Sequence, residues 1–252
     1  TSRIELGTAV VPTFTRHPWV MAQQALTTQV ATGGRLTLGV GLSHRITVET
    51  NFGLAFERLT GHATEYISVV RELIHEGYVD FTGKQYRVSG TMDITDATPC
   101  PILVAALGPQ ILNVAGRIAD GTITWMVGRK TLSTHIVPQI SAAAREVGRS
   151  DIRICVGVPI AVADKDAARA EVQSRFGSYS RLPSYKKMLA IEGGDVADIA
   201  VVGDETEVER ELRDYAEAGA TDILATIVPV GDDPETSSLR TRDLLRSLIG
   251  RI

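Results

Sequence analysis

The feature that most constrains this chain is an ordered alternation of short apolar runs with helical patterns and glycine-rich turns. It is sharpest near the start. There Leu6-Gly-Thr-Ala-Val-Val-Pro12 is followed by Arg16-His17-Pro18 and then by Gly33-Gly-Arg-Leu-Thr-Leu-Gly-Val-Gly41. This order reads as a buried strand, a sharp turn, a helix and a second buried strand ending in a glycine-rich loop, which is one β/α unit of a parallel barrel. Six runs have the same character: Ile4–Val11, Leu36–Val40, Ile102–Leu107, Gly121–Met126, Ile152–Val162 and Asp222–Val228. Each is aliphatic or β-branched and lacks in/out alternation, as expected of a parallel strand covered on both faces.

Helical patterns lie between the runs. Trp19, Ala22, Leu26 and Val30 recur at helical spacing behind Pro18, a residue suited to a first turn. Tyr66, Val69, Val70, Leu73 and Ile74 form a cleaner stripe, and Ile111, Ala115 and Ile118 form another. Val208, Leu212, Tyr215 and Ala216 follow Asp204 and Glu207, which are spaced as a capping box. Leu244, Leu245, Leu248 and Ile249 close the series. Strand and helix in regular alternation predict a parallel α/β architecture. Two segments interrupt it. Tyr78–Gly90 reads as a β-hairpin turning at Gly83, and Phe176–Val202 reads as an insertion with short helices of its own over the barrel mouth. No linker is evident, so 1–252 is expected to be a single domain.

Composition excludes several classes of function. A net charge of −4 provides no polybasic face for nucleic acid or anionic lipid. No apolar run approaches the roughly 18 residues of a membrane span. No basic leader with an apolar core opens the sequence, so a cytoplasmic location is expected. Cys100 and Cys155 stand far apart, outside any metal-ligand spacing, and read as free thiols.

The chemistry-bearing candidates lie where strands end, the face on which parallel barrels build their sites. Gly39-Val-Gly41-Leu42-Ser43 is either a tight turn needing unhindered backbone or part of such a site. Thr8-Ala9-Val10 either packs in the core or lets a flat ring approach the backbone. Ala105-Ala106-Leu107-Gly108-Pro109 leads from a strand into a helix. Gly108 there makes either an efficient turn or a phosphate seat at the helix start. His44 is either a solvated loop residue or a proton donor, whereas His17, beside a proline at a helix start, reads as structural. Trp125 either fills the strand end or packs over a ring in a substrate pocket. Carboxylate pairs, a nucleophile elbow and metal-ligand spacing are absent as patterns. Permissive backbone without acid/base machinery favours an enzyme whose chemistry resides in a bound cofactor.

The ordered stretches Arg3-Ile-x-Leu-Gly-Thr-Ala-Val10, Arg16-His-Pro18, Gly34-Arg-Leu-x-Leu-Gly-Val-Gly41, Ala105-Ala-Leu-Gly-Pro109, Asp120-Gly-Thr-Ile-Thr-Trp-Met126 and Ala218-Gly-Ala-Thr-Asp222 together resemble the bacterial luciferase-like flavin and deazaflavin oxidoreductases. The wording Thr124-Trp-Met-Val-Gly128 is most similar to the branch that uses coenzyme F420. The resemblance implies a TIM (β/α)8-type barrel, here expected to lack the first two β/α units. It implies a bulged first strand with a non-prolyl cis peptide at Ala9–Val10 behind the ring of the cofactor. Gly41, Leu42 and Ser43 would touch that ring or its ribityl chain, and Ala106, Leu107 and Gly108 would hold the phosphate. The activity implied is hydride transfer between F420 and a small organic substrate, by a protein expected to be a homodimer. The alternatives are an FMN-dependent luciferase-like monooxygenase and an inactive flavin-binding barrel. His44 stands where sugar-phosphate dehydrogenases of the family carry an acidic residue, so their substrate does not transfer to this chain.

Overall fold

The structure, a computed structural model, describes residues 2–252. In chain order its elements are β1 (Leu6–Gly7), β2 (Val11–Pro12), α1 (Pro18–Thr32), β3 (Leu36–Gly41), α2 (Leu59–Glu76), β4 (Tyr78–Thr82), β5 (Arg87–Thr91), β6 (Ile102–Ala105), α3 (Pro109–Ile118) and β7 (Gly121–Trp125). Then come α4 (Arg129–Thr131), α5 (Val137–Arg145), β8 (Arg153–Val162), α6 (Lys165–Phe176), α7 (Pro183–Glu192), α8 (Val196–Ile199), β9 (Val201–Gly203), α9 (Glu205–Glu217), β10 (Asp222–Ile227) and α10 (Pro234–Leu248). This is the parallel strand–helix succession of the TIM-barrel class. Contacts divide the chain into two compact units, Thr1–Ile123 with Ile140–Ile152, and Thr124–Gln139 with Arg153–Ile252.

In the first unit β1 and β2 both pair with β3, β3 pairs with β6 and β6 with β7, all in parallel. Val40, Ile102, Val104 and Thr122 are almost fully buried along these strands. The expected first strand, Ile4–Val11, is divided. Gly7 faces Thr37 and Val11 faces Val40, so β1 and β2 advance four residues while β3 advances three. The additional residue makes the segment Thr8–Val10 a bulge. The start of this strand is also less buried than its composition suggests, with Ile4 57% and Leu6 41% exposed.

The helix α1 opens as expected at Pro18, and His17 caps it, its ring Nδ1 accepting the Trp19 amide at 3.2 Å. Its inner face differs from the expected stripe. Val30 is exposed, and Met21, Ala22, Ala25, Leu26 and Gln29 are buried. Gln29 earns its buried place by donating to Pro99 O at 3.1 Å and accepting the Leu36 amide at 2.8 Å, so both ends of its amide are satisfied. The hairpin β4–β5 turns at Gly83 as expected. Glu65 on α2 holds that turn by accepting the amides of Lys84, Gln85 and Tyr86.

The second unit is built on β8, flanked in parallel by β10 and β9. Val156, Val158 and Ile160 are fully buried on β8, and Val208, Leu212 and Tyr215 line the inner face of α9. The Asp204–Glu207 capping box forms as the spacing predicts. The insertion does contain short helices: a 3₁₀ turn at Gly177–Arg181, then α7 and α8. It also ends in β9, a strand too short to stand out in the sequence. Cys100 is buried and Cys155 half-buried; burial and then the Asp120 carboxylate push the Cys100 thiol up to about 11.

Candidate cofactor site

Nine of the candidate residues, with His44, fall in the first unit on three loops that leave the sheet together. Val11, Val40 and Val104 lie side by side on β2, β3 and β6. Ser43 and Leu107 each follow three residues beyond that level. The Thr13 amide donates to Gly41 O at 3.0 Å, which keeps the chain after β2 against the end of β3.

The bulge explains both glycines of Gly39-Val-Gly41. The Thr8 hydroxyl donates to Gly39 O at 2.8 Å and accepts from Gly39 N at 2.8 Å. It therefore replaces the ladder bonds that the bulge withdraws from β3, and no buried backbone group of Gly39 is left orphaned. A side chain at Gly39 would collide with Thr8 O. One at Gly41 would lie 2.7 Å from Val10 Cγ2 and 3.0 Å from Ala105 Cβ. The space these glycines leave is thus taken by Thr8, Val10 and Ala105. The peptide Ala9–Val10 is cis, as the resemblance implied, and Ala9 is exposed.

Beyond Gly41 the chain turns sharply, with Ser43 in the left-handed region at φ 62°. Leu42, Ser43 and His44 are half-buried. Burial holds the His44 imidazole below its ordinary value, so at neutral pH the ring is uncharged and suited to accepting a proton. On the third loop Ala106 is buried, Leu107 and Gly108 half-buried. Gly108 caps α3 with extended backbone (φ −86°, ψ 153°), Pro109 occupies the first turn, and no side chain caps the helix. Nothing lies within 4 Å of where a Gly108 side chain would begin. The site therefore combines an exposed platform at Ala9, a tight turn at Ser43, and an uncapped helix start with open space before it. The first amides of a helix have no intrahelical partner and favour an anion. These features fit a phosphorylated, planar cofactor.

Sequence reasoning missed His62. Buried on α2, it places Nε2 2.9 Å from Thr13 Oγ1 and stacks on Phe14, ring centroids 4.2 Å apart and planes 7° from parallel. Burial lowers its titration against the opposing pull of Glu65. The only signal was Tyr66 four residues on, which shares its helix face.

Trp125 lies in the second unit, at the end of β7. Its ring meets Phe176 edge-on at 5.5 Å and Tyr179 at 6.1 Å, and it covers Gly157, where a side chain would lie 2.9 Å from the indole.

The family model for luciferase-like monooxygenases matches residues 1–222, and the chain belongs to that family. It is 30% identical over 245 residues to an F420-dependent glucose-6-phosphate dehydrogenase of Kineococcus radiotolerans, covering 89% of this chain and 72% of that protein. It is 29% identical to F420-dependent glucose-6-phosphate dehydrogenase 1 of Rhodococcus jostii, covering 99% of this chain and 81% of the relative. The solved coenzyme F420-dependent tetrahydromethanopterin reductase of Methanopyrus kandleri shares the fold, with a TM-score of 0.73 at 24% identity over 94% of this chain and 81% of that one. No helix among the described residues is long and apolar enough to cross a membrane.

Proposed function

We propose that this chain is an F420-dependent oxidoreductase acting on a small organic substrate. The observation that carries the reading is the level exit of three loops: the bulge at Thr8–Val10, the turn Gly41–Ser43 and the uncapped start of α3 at Gly108. The F420-dependent relatives supply the cofactor's identity. When bound, F420 supplies a hydride donor or acceptor at C5 of its ring. Thr8, Ala9 and Val10 form the platform behind that ring, Gly41, Leu42 and Ser43 its flank, and Ala106, Leu107 and Gly108 the seat of the phosphate. His44, held neutral by burial, accepts the proton that accompanies hydride removal from an alcohol and returns it in the reverse direction. Within the second unit, Trp125, packed against Phe176 and Tyr179 of the insertion, is assigned to the substrate pocket. Ile4, just before β1, and Leu6 on it are exposed and support self-association as a homodimer.

Titration of the purified chain with F420 and, separately, with FMN tests the proposal, with cofactor fluorescence as the readout. Saturable binding of F420 and slow reoxidation of its reduced form in air are expected. Tight FMN binding with rapid consumption of oxygen would replace this reading with a monooxygenase, and stable folding without affinity for either cofactor would end it.

A further inference from the structure

One carboxylate in the second unit is held as a bound anion would be. Glu192, the last residue of α7, accepts the Thr131 amide at 2.8 Å and the Thr131 hydroxyl at 2.7 Å on Oε2. Its Oε1 accepts the Lys130 amide at 3.3 Å. Thr131 is fully buried. Gly128 leaves the room: a side chain there would overlap the Glu192 carboxyl group. Two backbone amides and a hydroxyl on a glycine-opened loop make a site for a negative charge, and the chain fills it with its own.

The same helix is fastened a second time. Tyr185 on α7 is buried and meets Tyr179 edge-on at 4.9 Å; Tyr179 in turn meets Trp125. Trp125 and Gly128 are three residues apart, joined through Met126, whose φ of 53° lies in the left-handed region. One attachment reaches the Gly128–Thr131 loop directly and the other reaches Trp125 through Tyr179, which leaves this ten-residue helix little freedom to shift.

We propose that Glu192 is a positioning residue for the substrate wall. As a built-in anion it docks α7 on Gly128–Thr131 and so sets Tyr179 and Phe176 edge-on to Trp125. It also occupies the donors of that loop, so the loop receives no anionic group of a substrate. This inference rests on Trp125 lining the substrate pocket.

The test uses Glu192→Ala and Glu192→Gln in the full chain, each combined with Trp19→Phe so that Trp125 is the sole indole. Three readouts apply: indole emission, trypsin cleavage after Arg181, Lys186 and Lys187, and F420 affinity. For Glu192→Ala, red-shifted emission and at least tenfold faster cleavage are expected. Acetate at tens of millimolar should reverse both, while chloride at equal ionic strength should not. Glu192→Gln, which keeps one acceptor oxygen, should fall between this variant and the parent. F420 affinity should stay within twofold throughout. Emission and cleavage equal to those of the parent in both variants, or changes that acetate does not reverse, overturn the proposal. A parent chain that fails to bind F420 refutes the functional reading instead, and the anion-reversible docking of α7 then stands without a substrate wall to position.

Discussion

Gly41→Ala tests why the end of β3 is glycine. The new methyl carbon would lie 2.7 Å from Val10 Cγ2 and 3.0 Å from Ala105 Cβ, about 0.5–1.3 Å inside the 3.5–4.0 Å at which carbons rest. Val10 is β-branched and cannot swing aside freely, so the bulge itself must move. Overpacking of this kind costs about 1–3 kcal/mol. A loss near 2 kcal/mol corresponds to roughly 4–8 °C in a domain of this size. The displaced bulge is also the proposed platform for the cofactor, so affinity should fall about tenfold as well, equivalent to about 1.4 kcal/mol. Val10→Ala removes the nearer of the two methyl groups in the way. The double variant should therefore recover most of both losses relative to Val10→Ala alone, a coupling that a double-mutant cycle measures. Thermal unfolding and F420 titration of the four proteins provide the numbers. If the two substitutions add independently, the glycine does not serve the bulge. If stability recovers and affinity does not, the ring itself needs the bare backbone at Gly41.

Two further outcomes are expected. Gly108→Asp has open space for its side chain and extended backbone at a helix cap, where aspartate is favoured. Its melting temperature should match or slightly exceed the parent's, while F420 affinity drops at least tenfold because the carboxylate faces the phosphate seat; unchanged affinity would remove Gly108 from the site. Burial lowers the titration of both His44 and His62 in the folded chain, so below about pH 6.5 the unfolded chain binds more protons than the folded one. Stability should be complete above that value and decline as pH falls through the lowered folded-state values. In urea melts across pH 5–8 the slope should flatten in His62→Gln, and an unaltered slope would show that His62 does not contribute to it.

The alternation of elements was legible in the sequence because parallel strands buried on both faces leave unbroken aliphatic runs, and the start of α9 was legible because a capping box is local. Features set by distant partners were not. The division between β1 and β2 depends on Gly39 and Gly41 on another strand; the run Thr8-Ala-Val-Val does not itself show it, and only the resemblance to the luciferase-like family implied the bulge. His62 takes its meaning from Thr13, 49 residues away, and Gln29 is buried because backbone groups of the Pro99 and Leu36 segments meet it. The candidate loops were read correctly as strand exits, yet the physical reason for their glycines was misplaced: the gap beside Gly39 and Gly41 holds the neighbouring strand. Glu192 carried no signal, since a glutamate closing a helix is ordinary until its partners are known.

Thr8 and Val10 fit Gly39 and Gly41 as a key fits its wards, and that fit restricts how such a protein can diverge. A lone change at one of these four residues leaves a collision or a void, so matched pairs of changes are favoured. Drift toward new chemistry is diverted to segments such as the one that follows Ser43, where Arg45 and Ile46 are exposed and a residue is replaced without an answer from across the sheet. The old floor stays in place while the furniture above it is exchanged.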